Sequence, residues 1–304
     1  MTSTVIPVDT QQGPSRFFVD LAEQPSSMLV LGHGAGGGVG ALDLELLAQS
    51  LPALGTTVVR FEQPWRTAGR SVGAPPPKLD EAWCAALDWL LRQEWAQHSL
   101  LVGGRSAGAR VACRTASYTN PAAIVCLAFP LHLPGRPEKS RLAELLAPTV
   151  PRLILQGSKD SFGTAEEIRA AIGNARGISV VELPGADHAY RIARRRAKEE
   201  RADNVSSSVS DDAEGGMEAR SAASGASHRT RIARRRTKEE QADNVSSSVS
   251  DDAEGGMEAR SAASGASHRA EVAKSAAFSA SDLRTTIVAE VSRFIGAVAG
   301  ISTS

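Results

Sequence analysis

Short apolar runs alternate with longer amphipathic stretches over most of the first 190 positions, and the two periods separate well. SRFFVD at 15–20 alternates polar and apolar residues, as a half-buried strand does, and SMLVLG at Ser27–Gly32 is a short buried run ending in glycine. Positions 41–54 carry leucines at helical spacing, and TTVVRF at 56–61 reads as another strand. After a proline-rich loop at 75–77, the pattern at 79–93 predicts an amphipathic helix carrying Trp83 and Trp89. Strands follow at 99–103, 123–128, 151–156 and Ile178–Leu183, with helices at 107–116, Ala165–Ile172 and, far downstream, 281–298. Short apolar strands alternating with helices predict an α/β architecture, a mainly parallel sheet with helices on both faces.

That alternation breaks at Arg191. RIARRRAKEERADNVSSSVSDDAEGGMEARSAASGASHRT is followed from Arg231 by the same text, changed only at 237, 241 and 270, which makes a tandem 40-residue repeat. A solenoid unit must bury an apolar face, and this one offers one Ile, two Val and one Met among Ser, Ala, Arg, Glu and Asp. Ordering its backbone costs roughly 1–2 kcal/mol per residue, with little apolar burial to offset that. The stretch 191–270 is therefore expected to be a disordered tandem-repeat insertion in a single domain made of 1–190 and 271–304. RIARRR occurs in both copies, but KEE and later acidic residues follow it each time. The charges largely cancel, and a solvated linker is expected rather than a nucleic-acid patch.

Bulk charge changes nothing in this picture. Lys+Arg and Asp+Glu both number 34, which gives no argument for nucleic acid or a membrane surface. No run approaches the ~18 apolar residues of a spanning helix. The opening MTSTVIPVDTQQGPS lacks the basic-then-apolar order of a signal peptide. Cys84, Cys113 and Cys126 form an odd set without a CxxC pair. They argue against a disulfide framework or a cysteine-rich zinc site and fit a reducing, cytoplasmic setting.

Chemistry gathers in two glycine loops at strand ends. GHGAGGGVG at 32–40 contains G-x-G-x-x-G at Gly32, Gly34 and Gly37, and Glu62 closes the next strand, as in a dinucleotide-binding turn. Against this, at least one strand comes earlier, and His33 occupies the tight turn. The other reading makes His33-Gly34 the entry to an oxyanion-hole loop. Its donor would be the backbone N–H of Ala35, or alternatively Gly34, with His33 structural. The second loop decides between them. Gly104-Arg105-Ser106-Ala107-Gly108 is G-x-S-x-G, directly after an apolar strand and directly before a helix. A serine there sits in a strained turn that only small neighbours permit, with its hydroxyl at the top of the sheet. The Ala107 N–H faces the same oxyanion.

A serine hydroxyl is a poor nucleophile until a base takes its proton. Of the six histidines, His33 and His98 precede the serine, and His132 falls in an irregular segment after the 123–128 strand. His188, His228 and His268 share a frame, GADH and then GASH twice, but only His188 directly follows a strand, VVELP at 180–184. Asp160, in LILQGSKDSFG after the 151–156 strand, is the candidate acid, and Asp187 reads as shaping the histidine loop. Asp160 would fix the imidazole tautomer, His188 would shuttle the proton, and Ser106 would carry the acyl group.

Taken together, LVLGHGAGGG, RFEQPW, GGRSAGARVACR, AFPLHLPGRPEKSR, LQGSKDSFGT and PGADH resemble the dienelactone-hydrolase-like α/β-hydrolases of bacteria. More narrowly, they resemble the branch that also contains the animal testis-expressed protein 30 and a subunit of a histone-acetyltransferase complex. The resemblance spans roughly 25–190, resumes in the last helix and skips the repeat. It implies a compact α/β-hydrolase fold with a triad at Ser106, Asp160 and His188. Because true dienelactone hydrolases use a cysteine, a serine here implies ester or thioester chemistry.

FPLHLPGRPEKSR at 129–141 sits where these folds place a small lid. Arg136, with Lys139 and Arg141, is a candidate grip for an anionic group, as are Arg105 and Arg110 beside the nucleophile. Pairing of Arg105 and Arg110 with nearby carboxylates is the plainer expectation. Trp65, Phe129 and Leu131 are candidate walls of an acyl pocket. The expected function is a serine hydrolase acting on a small carboxylic ester or thioester. Its expected partner is a small-molecule substrate, without cofactor, metal, membrane or nucleic acid. The competing reading is a hydrolase-fold binding or scaffold protein with an idle triad.

Overall fold

The computed structural model describes residues 3–192 and 278–300. The repeat insertion beyond its first two residues, with His228 and His268, and the domain boundary at 270 lie outside them. The chain opens with an antiparallel hairpin, β1 (Thr4–Thr10) and β2 (Gly13–Asp20). β3 (Ser27–Gly32), α1 (Leu42–Ser50), β4 (Thr56–Glu62), α2 (Pro64–Thr67) and α3 (Pro76–Leu90) follow. Next come β5 (Ser99–Arg105), α4 (Ala107–Arg114), α5 (Ala116–Thr119), β6 (Ala123–Leu127) and α6 (Leu142–Leu146). β7 (Arg152–Gly157), α7 (Ala165–Ile172), β8 (Ile178–Leu183) and α8 (Ala280–Ala299) complete the described elements. They build an eight-stranded sheet in the order β1-β2-β4-β3-β5-β6-β7-β8, parallel from β4 to β8.

The uniform apolar runs divide by parity between two cores. Met28, Val30, Val102, Ile124, Cys126 and Ile154 face α3 and α4, where Trp83, Leu87 and Ala109 cover them. Leu29, Leu31, Leu101, Val125, Leu153 and Leu155 face α1 and α8. Period-2 side-chain alternation sends neighbours to opposite faces, so a strand covered on both sides must be apolar throughout. α8 presents Leu283, Ile287, Val291 and Ile295 as one buried stripe at four-residue spacing, and a capping box between Ser279 and Asp282 starts it.

Local chemistry accounts for the departures from the predicted elements. β1 escapes the sequence pattern because Pro7 interrupts it, yet the strand lies at the sheet edge, where a missing N–H is tolerated. The helix predicted over 41–54 ends at Ser50, and Pro52 opens a separate single turn, Pro52–Leu54, closed by Gly55 in the left-handed region. The prolines predicted as a loop instead begin α3, at the one place a helix has no use for their N–H groups. Because β3, β5, β7 and β8 run parallel, their C-terminal loops emerge along one edge of the sheet, and the loops carrying His33, Ser106, Asp160 and His188 converge there.

Candidate active site

The nucleophile turn is set by contact with β3. Ser106 adopts φ 51°, ψ −107°, a strained backbone for a residue with a Cβ. Its N–H donates to the Leu127 carbonyl at 2.9 Å, which ties the turn to the end of β6. A Cβ on Gly104, whose φ is +153°, would lie 2.3 Å from the Gly32 carbonyl oxygen, and one on Gly108 would lie 2.2 Å from the same atom. Both glycines of G-x-S-x-G are therefore required for α4 to close on β3. Ala107 begins α4, and the first N–H groups of a helix have no intrahelical acceptor.

Ser106, His188 and Asp160 meet in a continuous chain. His188 Nε2 is 3.0 Å from Ser106 Oγ, and His188 Nδ1 is 2.8 Å from Asp160 Oδ2. The Asp160 side chain is wholly buried and that of His188 is 23% exposed. Asp160 also accepts from Gln156 Nε2 at 2.9 Å and from the Phe162 N–H at 2.8 Å, and the Phe162 ring packs on the imidazole at 4.2 Å. The two loops are stitched to each other. Lys159 N–H donates to the Ala186 carbonyl, and Gly185 N–H donates to Ser158 Oγ. Asp187 turns away from the imidazole and caps its own loop, accepting from the N–H groups of Ala189 and Arg191.

His33 holds the glycine loop. Its Nε2 accepts the Gln63 backbone N–H at 3.1 Å, so the ring proton resides on Nδ1 and is donated to the Gly34 carbonyl at 2.9 Å. Burial lowers the His33 pKa, against the smaller opposing pull of that carbonyl, and the ring stays neutral. A trans peptide directs its N–H opposite to its C=O, so anchoring the Gly34 oxygen turns the Ala35 N–H the other way. Ala35 and Ala107 line one cavity; Gly34 does not line it and instead backs onto the Ser106 Cβ. The dinucleotide reading finds no support. A Cβ on Gly37 would meet nothing within 4 Å, so no close helix–strand packing requires that glycine. Glu62 is engaged by Arg16 at 2.5 Å and by the Thr67 hydroxyl.

Three candidate substrate contacts do not line this cavity, and Arg105 meets the plainer expectation of pairing with a carboxylate. Arg105 does not face the cavity: it pairs with buried Asp43 at 2.5 Å, donates to the His188 carbonyl, and lies over the Tyr190 ring at 5.0 Å. Phe129 is fully buried in the core, because the strand end turns it inward. Arg136 lies exposed in a turn closed by a bridge between Leu133 and Arg136, away from the cavity lining. Leu131 packs against Gly163, and the 129–141 segment meets the Asp160 loop through the His132 N–H and the Phe162 carbonyl. Trp65 does line the cavity. Its volume is about 330 Å³, and its other walls include Ala74, Leu79 and Val111.

Sequence reasoning missed Gln156, Phe162 and the Arg105–Asp43–Tyr190 cluster. Tyr190 is buried, which pushes its phenol pKa well up, and its hydroxyl donates to the Leu155 carbonyl while accepting the Ala128 N–H. The one signal for this cluster was an arginine between the glycine and serine of the elbow, where its charge needs a partner.

Several solved structures share this arrangement of elements. An α/β serine hydrolase without a lid from Xanthomonas campestris superposes with a TM-score of 0.51 at 24% identity, covering 62% of this chain and 87% of that one. An α/β serine hydrolase homologue from Coxiella burnetii gives 0.52 at 24%, over 62% and 90%. A dienelactone hydrolase from Anabaena variabilis gives 0.50 at 17%, over 62% and 88%. At these identities the likeness is one of fold. The family described as alpha/beta hydrolase domain matches residues 25–215, well over half of the sequence. On that match, the chain belongs to the alpha/beta hydrolase domain family.

Proposed function

We propose that the chain is a serine hydrolase that cleaves a small carboxylic ester or thioester through Ser106, His188 and Asp160. The observation that carries this reading is the unbroken hydrogen-bonded line from Ser106 Oγ through His188 to buried Asp160. Ser106 Oγ attacks the carbonyl carbon as its proton passes to His188 Nε2. The Ala107 and Ala35 N–H groups hold the oxyanion. Collapse breaks the bond to the leaving oxygen or sulfur, which takes the proton from His188. Water, deprotonated by the same imidazole, then releases the acid and restores the serine. Asp160 keeps the Nδ1–H tautomer and stabilises the imidazolium.

Within the family we read the chain as a member of the testis-expressed protein 30-like branch, on LVLGHGAGGG, GGRSAGARVACR and LQGSKDSFGT. Its three free thiols fit a cytoplasmic setting. Among the described residues, no helix is long and apolar enough to cross a membrane.

The test is labelling by a fluorophosphonate, with p-nitrophenyl acetate turnover alongside. Labelling is expected in the wild type and lost in Ser106→Ala and His188→Ala, and Asp160→Asn should lower kcat by about a thousandfold or more. A folded wild type that neither labels nor turns over would overturn the enzyme reading and leave a hydrolase-fold binding protein.

A further inference from the structure

We infer that the cavity beside the glycine loop receives the acyl part of the substrate, selecting short, uncharged apolar acyl groups and leaving the alcohol or thiol unselected. This rests on the serine-hydrolase reading above.

The sidedness follows from proton transfer. The leaving group takes its proton from His188 Nε2 and so lies on the imidazole side of the carbonyl; the acyl group lies across from it. The cavity walls come from the glycine loop, the start of α3 and the inner face of α4, and include Ala35, Ala74, Leu79 and Val111. Neither His188, Phe162 nor any residue of 129–141 lines it. Among the described residues, walled space thus lies on the acyl side, while the His188 side chain is 23% exposed.

Size and charge narrow the class. About 330 Å³ is near the lower end of ligand pockets, which run from roughly 300 to 1,000 Å³. One ionic group lines the cavity, Arg110, and Glu144 holds it in a two-pronged pair at 2.8 and 2.6 Å. Glu144 also accepts from Arg114 at 3.0 Å. Burial alone would raise the Glu144 pKa, but the bonds and charges of the two arginines outweigh it and hold the carboxyl below its ordinary range. An acyl chain ending in a carboxylate would have to displace this matched, half-buried partner beside an apolar wall, and that exchange is unfavourable. The rim points the same way. Val72, an apolar side chain 77% exposed, stands at the mouth, where a chain end can cover it.

The experiment compares kcat/KM for p-nitrophenyl acetate, butyrate, hexanoate, dodecanoate and hemisuccinate on the full chain, with labelling by diisopropyl fluorophosphate measured in parallel. Butyrate or hexanoate should exceed dodecanoate, and butyrate should exceed hemisuccinate, each by about tenfold or more, the scale set by apolar pocket contacts. Ala74→Phe should lower the hexanoate-to-acetate ratio by about tenfold. Glu144→Gln, by releasing Arg110, should raise the hemisuccinate-to-butyrate ratio. Should that variant not fold, the Ala74→Phe ratio still decides. A profile flat in chain length, or hemisuccinate turned over as fast as butyrate, overturns the acyl assignment while labelling upholds the serine chemistry. Absence of labelling overturns both.

Discussion

At the scale of single residues, the elbow is held by contacts as much as by its chemistry. A methyl on Gly108 would meet the Gly32 backbone, which cannot yield as a side chain would. Gly108→Ala should destabilise by about 1–3 kcal/mol through forced separation of α4 from β3. At roughly 2–4 °C per kcal/mol for a domain of this size, a thermal melt resolves that loss. Gly36→Ala, where nothing lies within 4 Å, should stay within about 0.5 kcal/mol. Asp43 and Arg105 make a second test. Asp43 is 1% exposed, and losing either partner leaves a charge stranded. Asp43→Ala should cost about 3–5 kcal/mol, and the Asp43→Leu, Arg105→Met pair much less, by denaturant titration. Ser106, Asp160 and His188 were legible because each ends an apolar run and the fold constrains their chain order. The carboxylate pairing of Arg105 was legible too, but not its partner Asp43, and Phe129 was misplaced because side-chain direction at a strand end depends on how the turn leaves the sheet, which no run of letters records.

The elements add a dependence on pH. The glycine loop is fastened by a neutral His33, whose Nε2 must remain an acceptor for Gln63. Burial holds its folded pKa below the 6.5 of an ordinary histidine. Below 6.5 the unfolded chain therefore binds a proton that the folded chain resists. The stabilising contribution is complete above that value and declines as pH falls through the folded pKa. The wild-type melting temperature should fall between about pH 7.5 and 5, and His33→Asn, which keeps a donor toward the Gly34 carbonyl but does not titrate, should fall less. An equal slope in both would show that other groups set the acid limb. Helix and strand identities were largely legible from periodicity. Misreadings gathered at Pro7, Pro52 and Pro76, where proline can end an element, open one or sit harmlessly on an edge, and tertiary position chooses among these.

For the whole molecule, the sequence announced a covered parallel sheet through its uniformly apolar strands, but not the strand order. Nothing in β4 or β3 says that β4 lies next to β2 while β3 lies next to β5. Membership in the alpha/beta hydrolase domain family and the parity split between two cores agree on one architecture, in which α8 supplies much of one cover. A chain ending at 277 should therefore expose Val125, Leu153 and Leu155 on β6 and β7, where α8 packs, and bind a hydrophobic dye in its compact state.

α8 also has a consequence for biosynthesis. It follows β8 by nearly a hundred residues, so at ~5–20 residues per second the ribosome delivers the last strand on the order of ten seconds before the helix that covers it. During that interval the nascent sheet carries an open apolar face, available to any holdase near the exit tunnel, and the protein's yield in a cell becomes a race between translation speed and capture.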